Sequence, residues 1–143
     1  MEIELRPFAW GDAIAEEARA LRFAVFCDEQ GVDRAIEIDE HDPGAAHLAA
    51  LDDGRVVGTL RLVRVAAKGK IGRVAVARTH RRKGVGAAMM HWAIEQARAM
   101  GLTKVVLSGQ MDSGPFYESL GFVGTGEIYM EAGIPHRWMV LTL

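Results

Sequence analysis

One stretch of this sequence constrains the fold more than any other. KIGRVAVAR (Lys70 to Arg78) runs straight into THRRKGVGAAMM (Thr79 to Met90). The first part reads as a strand, the second as a basic turn with two glycines that opens a helix. Through the helix Met90, Ala93, Ile94, Ala97 and Met100 fall on one face, and His91, Glu95 and Arg98 on another. Gly101 stands where a helix C-cap glycine belongs. A helix N-terminus presents unpaired N–H groups and the positive end of a dipole. Glycine at Gly84 and Gly86 lets a ligand approach the backbone closely. Together these features predict an anion site, with Arg81, Arg82 and Lys83 adding charge at its rim. A merely solvated turn fits less well, because the helix dipole disfavours cations at this end unless an anion is bound.

The spacing is not a Walker loop. Nor is it the dinucleotide G-x-G-x-x-G, since Gly84-Val85-Gly86 is followed by Ala87-Ala88-Met89. A nucleic-acid surface needs a wider basic face with aromatics or a reading helix. The helix after the turn carries Trp92 and Glu95 but no run of cations. The net charge of −2 also excludes a general polyanion binder, so any anion site is local. A pyrophosphate is the better occupant.

The remaining chain supplies the frame. Ile3 to Ala9 alternates as a strand, and Asp12 caps a helix expected to run to about Phe26. Cys27 to Ala46 is polar and turn-rich, and is expected to be a mobile loop with short helical pieces. HLAALDDGRVVGTLRLVRV reads as two strands joined by Asp53-Gly54. TKVVLSG is a short buried strand, DSGPFYESLGF a short helix, and GTGEIYMEAG and HRWMVLTL two closing strands. The order β-α-β-β-β-α-β-α-β-β predicts a mixed α/β fold, helices against a largely antiparallel sheet. A length of 143 residues, half of them apolar, suits one domain spanning 1–143. No stretch approaches the roughly 20 apolar residues of a membrane span. The N-terminus carries no apolar signal core, and the lone Cys27 cannot form an internal disulfide. A cytoplasmic protein is expected.

Arg81-x-x-Gly84-x-Gly86 resembles the [RQ]-x-x-G-x-[GA] loop of the GNAT superfamily of N-acetyltransferases. FYESLGF (Phe116 to Phe122) is similar to that superfamily's F-Y-x-x-x-G-F signature. LRFAVFCDEQGV, EIDEHDPGAAHL, VGTLRL, IGRVAV and GIPHRWM look like its ElaA-type branch. The resemblance implies a GNAT-like sheet whose fourth and fifth strands splay to admit acyl-CoA. It further implies that backbone N–H groups of Arg81, Arg82, Lys83, Gly84, Val85, Gly86 and Ala87 hold the pyrophosphate of acetyl-CoA. Val74, Ala75 and Val76 would pair with the pantetheine arm, and the Val76 N–H would polarise the thioester carbonyl.

The implied activity is transfer of acetyl from acetyl-CoA to a primary amine of a small molecule by direct attack. Tyr117 matches the tyrosine that such enzymes use as general acid; a phenol, titrating near about pH 10, keeps its proton at neutrality. Many members carry a glutamate base on the fourth strand, but Lys70 to Arg78 holds no acid. The base is then sought among Glu37, Asp39, Glu40, His41 and Asp42, whose charge would also attract a cationic amine, or at His136; Glu40 and His136 lead. Arg22 and Arg61, set within apolar segments, are either edge residues or buried partners of an acid such as Glu29 or Glu40. Cys27 reads as inert packing. His41 and His47 lack zinc-ligand spacing, so no metal is expected. No nucleic-acid or membrane partner is expected, and homodimerisation is compatible with the superfamily without a legible interface. Two other readings compete: an acyl-CoA-binding sensor with weak catalysis, and an enzyme like the acyl-homoserine-lactone synthases.

Overall fold

Asp53 (φ 52°) and Gly54 (φ 78°) both take left-handed backbone, as a two-residue hairpin between right-twisted strands requires. They join β2 (Ala46–Asp52) to β3 (Arg55–Val65). Ala132 (φ 51°) and Gly133 (φ 76°) repeat the device between β6 (Val123–Glu131) and β7 (Ile134–Thr142). The other strands are β1 (Ile3–Phe8), β4 (Lys68–Val76) and β5 (Lys104–Gln110). The helices are α1 (Ala13–Arg22), α2 (Arg34–Glu37), α3 (Val85–Ala99) and α4 (Gly114–Ser119). The computed structural model describes residues 1–143. Its strands form one seven-stranded sheet in the order β1-β2-β3-β4-β5-β7-β6. Every neighbouring pair is antiparallel except β4 with β5.

The sheet is covered on both faces, and β2 shows why its sequence lacks clean alternation. Leu48 and Ala50 face the cluster under α3, while Ala49 and Leu51 face Ala15 and Ala18 of α1. A strand buried on both sides reads as a continuous apolar run. On the α3 side Met89, Met90, Ala93, Ile94 and Ala97 pack onto Leu60, Leu62, Ile71, Val105 and Leu107. Full burial of large apolar side chains such as these is worth about 1.5–3 kcal/mol each. The expected apolar face of α3 is therefore the buried one, with Gly84 (φ 84°) and Gly101 (φ 74°) bounding the helix.

Three local readings are corrected. The first helix keeps α geometry only to Arg22 and then widens into a π-helical turn, Phe23–Glu29. Asp12 stands at the N-cap, but its carboxylate accepts from the Ala9 N–H (2.9 Å), not from a helical amide. The stretch after Cys27 is pinned rather than mobile: Glu37 and Asp42 are buried, both paired to Arg22 (2.9 and 2.8 Å). Arg22 and Arg61 are accordingly buried ion-pair partners, and their acids are Glu37, Asp42 and Asp39, not Glu29 or Glu40.

β4 and β5 pair over only three positions, Lys68–Lys70 with Lys104–Val106, and then part. Past that point β4 bulges: Thr59 faces Ala75 while Arg61 faces Gly72, so Arg73 and Val74 share one place opposite Leu60. Arg73 takes φ 52° there, an uncommon conformation for a residue with a Cβ. The result is a V open at the C-terminal ends of both strands.

Candidate active site

The loop after β4 closes one side of the V. The first backbone bond into α3 runs from the Ala88 N–H to the Gly84 carbonyl (3.0 Å), and no side chain caps the helix. The amides of Val85, Gly86 and Ala87 thus lack intrahelical acceptors. A Cβ on Gly86 would sit 3.4 Å from the Phe116 ring and 3.7 Å from a Val76 methyl, so the glycine keeps the way from loop to V clear. These residues fit a diphosphate: unpaired donors, a positive helix end and no side chain in the approach.

The five cations of the turn are less available than their sequence suggests. The Arg81 guanidinium pairs with Glu29 (2.8 Å), as Arg78 does (3.3 Å), and His80 bonds Asp52 (2.7 Å). The Arg81 hydrogen bond holds the Glu29 carboxyl below its ordinary range. Arg82 and Lys83 alone remain exposed and without an acidic partner. The charge left without a counter-ion at the rim is that of those two residues. Arg81 instead ties the loop down, since its Nε also donates to the Val76 carbonyl (3.0 Å).

That last bond fixes the orientation of β4. The Ala77 N–H donates to the Val57 carbonyl on β3 (2.8 Å). Strand alternation then turns Ala75 toward β3 and both backbone polar groups of Val76 toward the open side. Of the triplet Val74-Ala75-Val76, the Ala75 amide is directed away from the V.

On the α1 side of the sheet a cleft of about 520 Å³ opens between β4, β5 and the β6–β7 hairpin. Tyr117, Glu40 and His136 all line it. Tyr117 packs its ring edge-on against Phe116 (5.1 Å) and Phe122 (6.1 Å). Burial pushes its hydroxyl up to about 12. That hydroxyl has no partner in the protein and is not sealed off, so it is free to donate into the cleft.

The base candidates separate by geometry. Glu37 and Asp42 are committed to Arg22. Asp39 is bonded by Arg61 (2.6 Å), which holds its carboxyl far below the usual range. His41 has its side chain half in solvent beside Glu40 (3.6 Å), and Glu40 is 84% exposed. His136 is different. It is buried, and its Nδ1 lies 2.7 Å from the Ile134 carbonyl, which can only accept. Nδ1 therefore carries the hydrogen, and Nε2 is the nitrogen left to take a proton. Glu131 Oε2 stands 3.4 Å from that Nε2.

Three residues escaped the reading of the sequence. Ser108 on β5 hydrogen-bonds the Tyr129 hydroxyl from β6, and its Oγ lies 3.4 Å from Glu131 Oε2. With His136 they form a polar corner of the cleft. The faint signal was LSGQ, where Ser108 and Gln110 alternate on one face of an otherwise apolar strand. Gln110 bonds Gln30 (2.7 Å), and both line the cleft. Cys27 is partly exposed, and burial of the thiol raises it above its ordinary value, so it is no ready nucleophile. No cluster of side chains has the makings of a metal site. No helix is long and apolar enough to cross a membrane.

Comparison with known proteins agrees with this geometry. Residues 8–122 match the model of the Acetyltransferase (GNAT) family. The uncharacterized N-acetyltransferase YjcF of Bacillus subtilis is 35% identical over 127 residues, 87% of this chain and 90% of that one. The crystal structure of an acyl-CoA N-acyltransferase from Pseudomonas aeruginosa superposes with TM-score 0.84 and 30% identity, covering 97% and 99% of the two chains. Escherichia coli ElaA superposes with TM-score 0.86 and 27% identity over 97% and 99%. The splayed sheet, the uncapped glycine loop and these matches agree, and the chain belongs to the GNAT family of acyl-CoA-dependent N-acetyltransferases.

Proposed function

We propose that this protein, one domain over residues 1–143, transfers acetyl from acetyl-CoA to a primary amine of a small molecule. The observation that carries the reading is the V between β4 and β5. It has unpaired amides of α3 at one end and the free Tyr117 hydroxyl beside the cleft. The amides around Gly84 to Ala87, with Arg82 and Lys83, would take the pyrophosphate. The open-side groups of Val76 would meet the pantetheine arm as an added strand, and its N–H would polarise the thioester.

A primary amine reaches the protein as ammonium and must lose a proton before it attacks. With no acid on β4 and Glu37, Asp39 and Asp42 held by arginines, His136 Nε2 is the group in the cleft fitted to accept that proton. Glu131 Oε2 stands behind it, 3.4 Å from Nε2. Glu40, exposed at the mouth, attracts the cation without taking part in bonding. As the C–S bond breaks, Tyr117 donates to the sulfur. A free thiol titrates near about 8.5, well below the phenol at about 12. Complete transfer would therefore run uphill, and Tyr117 stabilises the thiolate mainly as a hydrogen-bond donor.

Calorimetric titration with acetyl-CoA tests the reading, with desulfo-CoA, ATP and a short DNA duplex as controls. Acetyl-CoA should bind and duplex should not. Gly86→Glu should abolish binding, because its carboxylate would be aimed at the Phe116 side of the loop beside the helix amides. Duplex binding without acetyl-CoA binding would overturn the proposal.

A further inference from the structure

The acidic segment after Cys27 does more than fill space: it reaches the bulge of β4. Three guanidiniums and three carboxylates interlock there. Arg22 bonds Glu37 Oε2 (2.9 Å) and both oxygens of Asp42 (2.8 and 3.1 Å). Arg61 holds Asp39 in a fork (2.6 and 2.9 Å) and also bonds Asp42 Oδ1 (3.0 Å). Arg73 takes Asp39 Oδ2 (3.2 Å) and the carbonyls of Glu37 (3.1 Å) and Ile36 (3.3 Å). Asp39 Oδ2 thus accepts from Arg61 on β3 and from Arg73 on β4 at once.

Their places in the register make the arrangement informative. Arg61 faces Gly72, the last paired residue before the bulge, and Arg73 is the residue that bulges. One carboxylate therefore pins both sides of the irregularity that turns β4 away from β5. A buried ion cluster is poor evidence of stability, since apolar packing commonly serves as well. Left-handed backbone at a residue with a Cβ is also costly, and glycine would adopt it without strain. Arginine at that place offsets its strain only through what its side chain reaches.

We infer that Asp39 and Arg73 are positioning residues for acyl transfer: through Arg61 they hold the β4 bulge at the angle from which the strand's open-side amides address the thioester carbonyl. This rests on the acyl-CoA reading above. It adds a role for the EIDEHD segment that is neither base nor acceptor site.

The test compares wild type with Asp39→Asn and Arg73→Gly. Glycine permits the left-handed backbone without strain but does not enforce it once the tether is gone, and Asp39 stays paired to Arg61, so this variant folds even where Asp39→Asn does not. Calorimetry measures affinity for CoA, and the carbonyl carbon-13 resonance of [1-13C]acetyl-CoA reports polarisation of the bound thioester. The expected result is a downfield shift on binding to wild type that is lost in Arg73→Gly, with CoA affinity unchanged. A shift retained in the variant overturns the inference, as does loss of CoA affinity in step with the shift, which marks a structural role only. Wild type that binds neither CoA nor acetyl-CoA removes the acyl-CoA reading itself, a separate and distinguishable failure.

Discussion

Tyr117 and Arg22 are both enclosed by the fold, yet substitution at each should be felt in different measurements. Tyr117→Phe keeps the ring against Phe116 and Phe122 and deletes only the hydroxyl that opens on the cleft. Turnover of acetyl-CoA with an amine acceptor should fall by about 10²-fold or more, while calorimetric affinity for acetyl-CoA stays put. An unchanged rate would remove Tyr117 from the chemistry. Arg22 is 2% exposed and faces two buried carboxylates. Arg22→Ala leaves Asp42 to Arg61 alone and Glu37 to Arg73 alone, and urea unfolding should show a loss of about 3 kcal/mol. Legibility differs in the same way. Tyr117 stands out in the sequence only through the resemblance of FYESLGF to a family signature, and its ring partners Phe116 and Phe122 lie within that same segment. Arg22 announces only that it is buried or at an edge, because its acids lie 15 and 20 residues away. Ser108 leaves only a faint trace, in LSGQ, and its meeting with Tyr129 and Glu131 has no local signal: they come together across β7, which the chain reaches last.

Among the elements, the strand–loop–helix unit is legible nearly whole, since periodicity and two glycines specify it locally. Gly84 carries the left-handed turn that aims the loop at α3. Gly84→Ala should cost about 1–2 kcal/mol for the Cβ in that region, and a urea midpoint that does not move would show the turn relaxing instead. The strand order is beyond reach from sequence. A hairpin signal joins β2 to β3, but nothing local places β7 between β5 and β6. The mobile loop expected after Cys27 fails for a related reason: polar composition describes solvated loops and buried ion clusters alike.

For the whole molecule, stability should fall in two stages as pH decreases. Burial lowers the His47 imidazole below its ordinary value. The unfolded chain therefore takes up that proton first. Its contribution is complete above about pH 6.5 and fades as pH drops through the lower folded value. Asp39 and Asp42 are also held low. At Asp39 the Arg61 hydrogen bond is the main cause, and at Asp42 burial opposes but the Arg22 bond prevails. Their share is complete above about pH 4 and is lost below it. Urea midpoints measured from pH 8 to pH 3 should show both stages, and His47→Gln should erase only the first. A single transition that His47→Gln leaves unaltered would contradict the assignment.

The π-helical turn at Phe23–Glu29 has a consequence for how such a chain can change in length. It holds Glu29 against Arg81 and delivers Gln30 to Gln110. A π turn holds about one residue more than an α turn, so losing one codon there lets the helix relax to ordinary winding with the downstream residues still close to their present direction. Gaining a codon has no such outlet: it would rotate Glu29 by about 100° and turn it from the loop it anchors. The segment is thus open to shortening by one residue and closed to lengthening, whatever residues fill it.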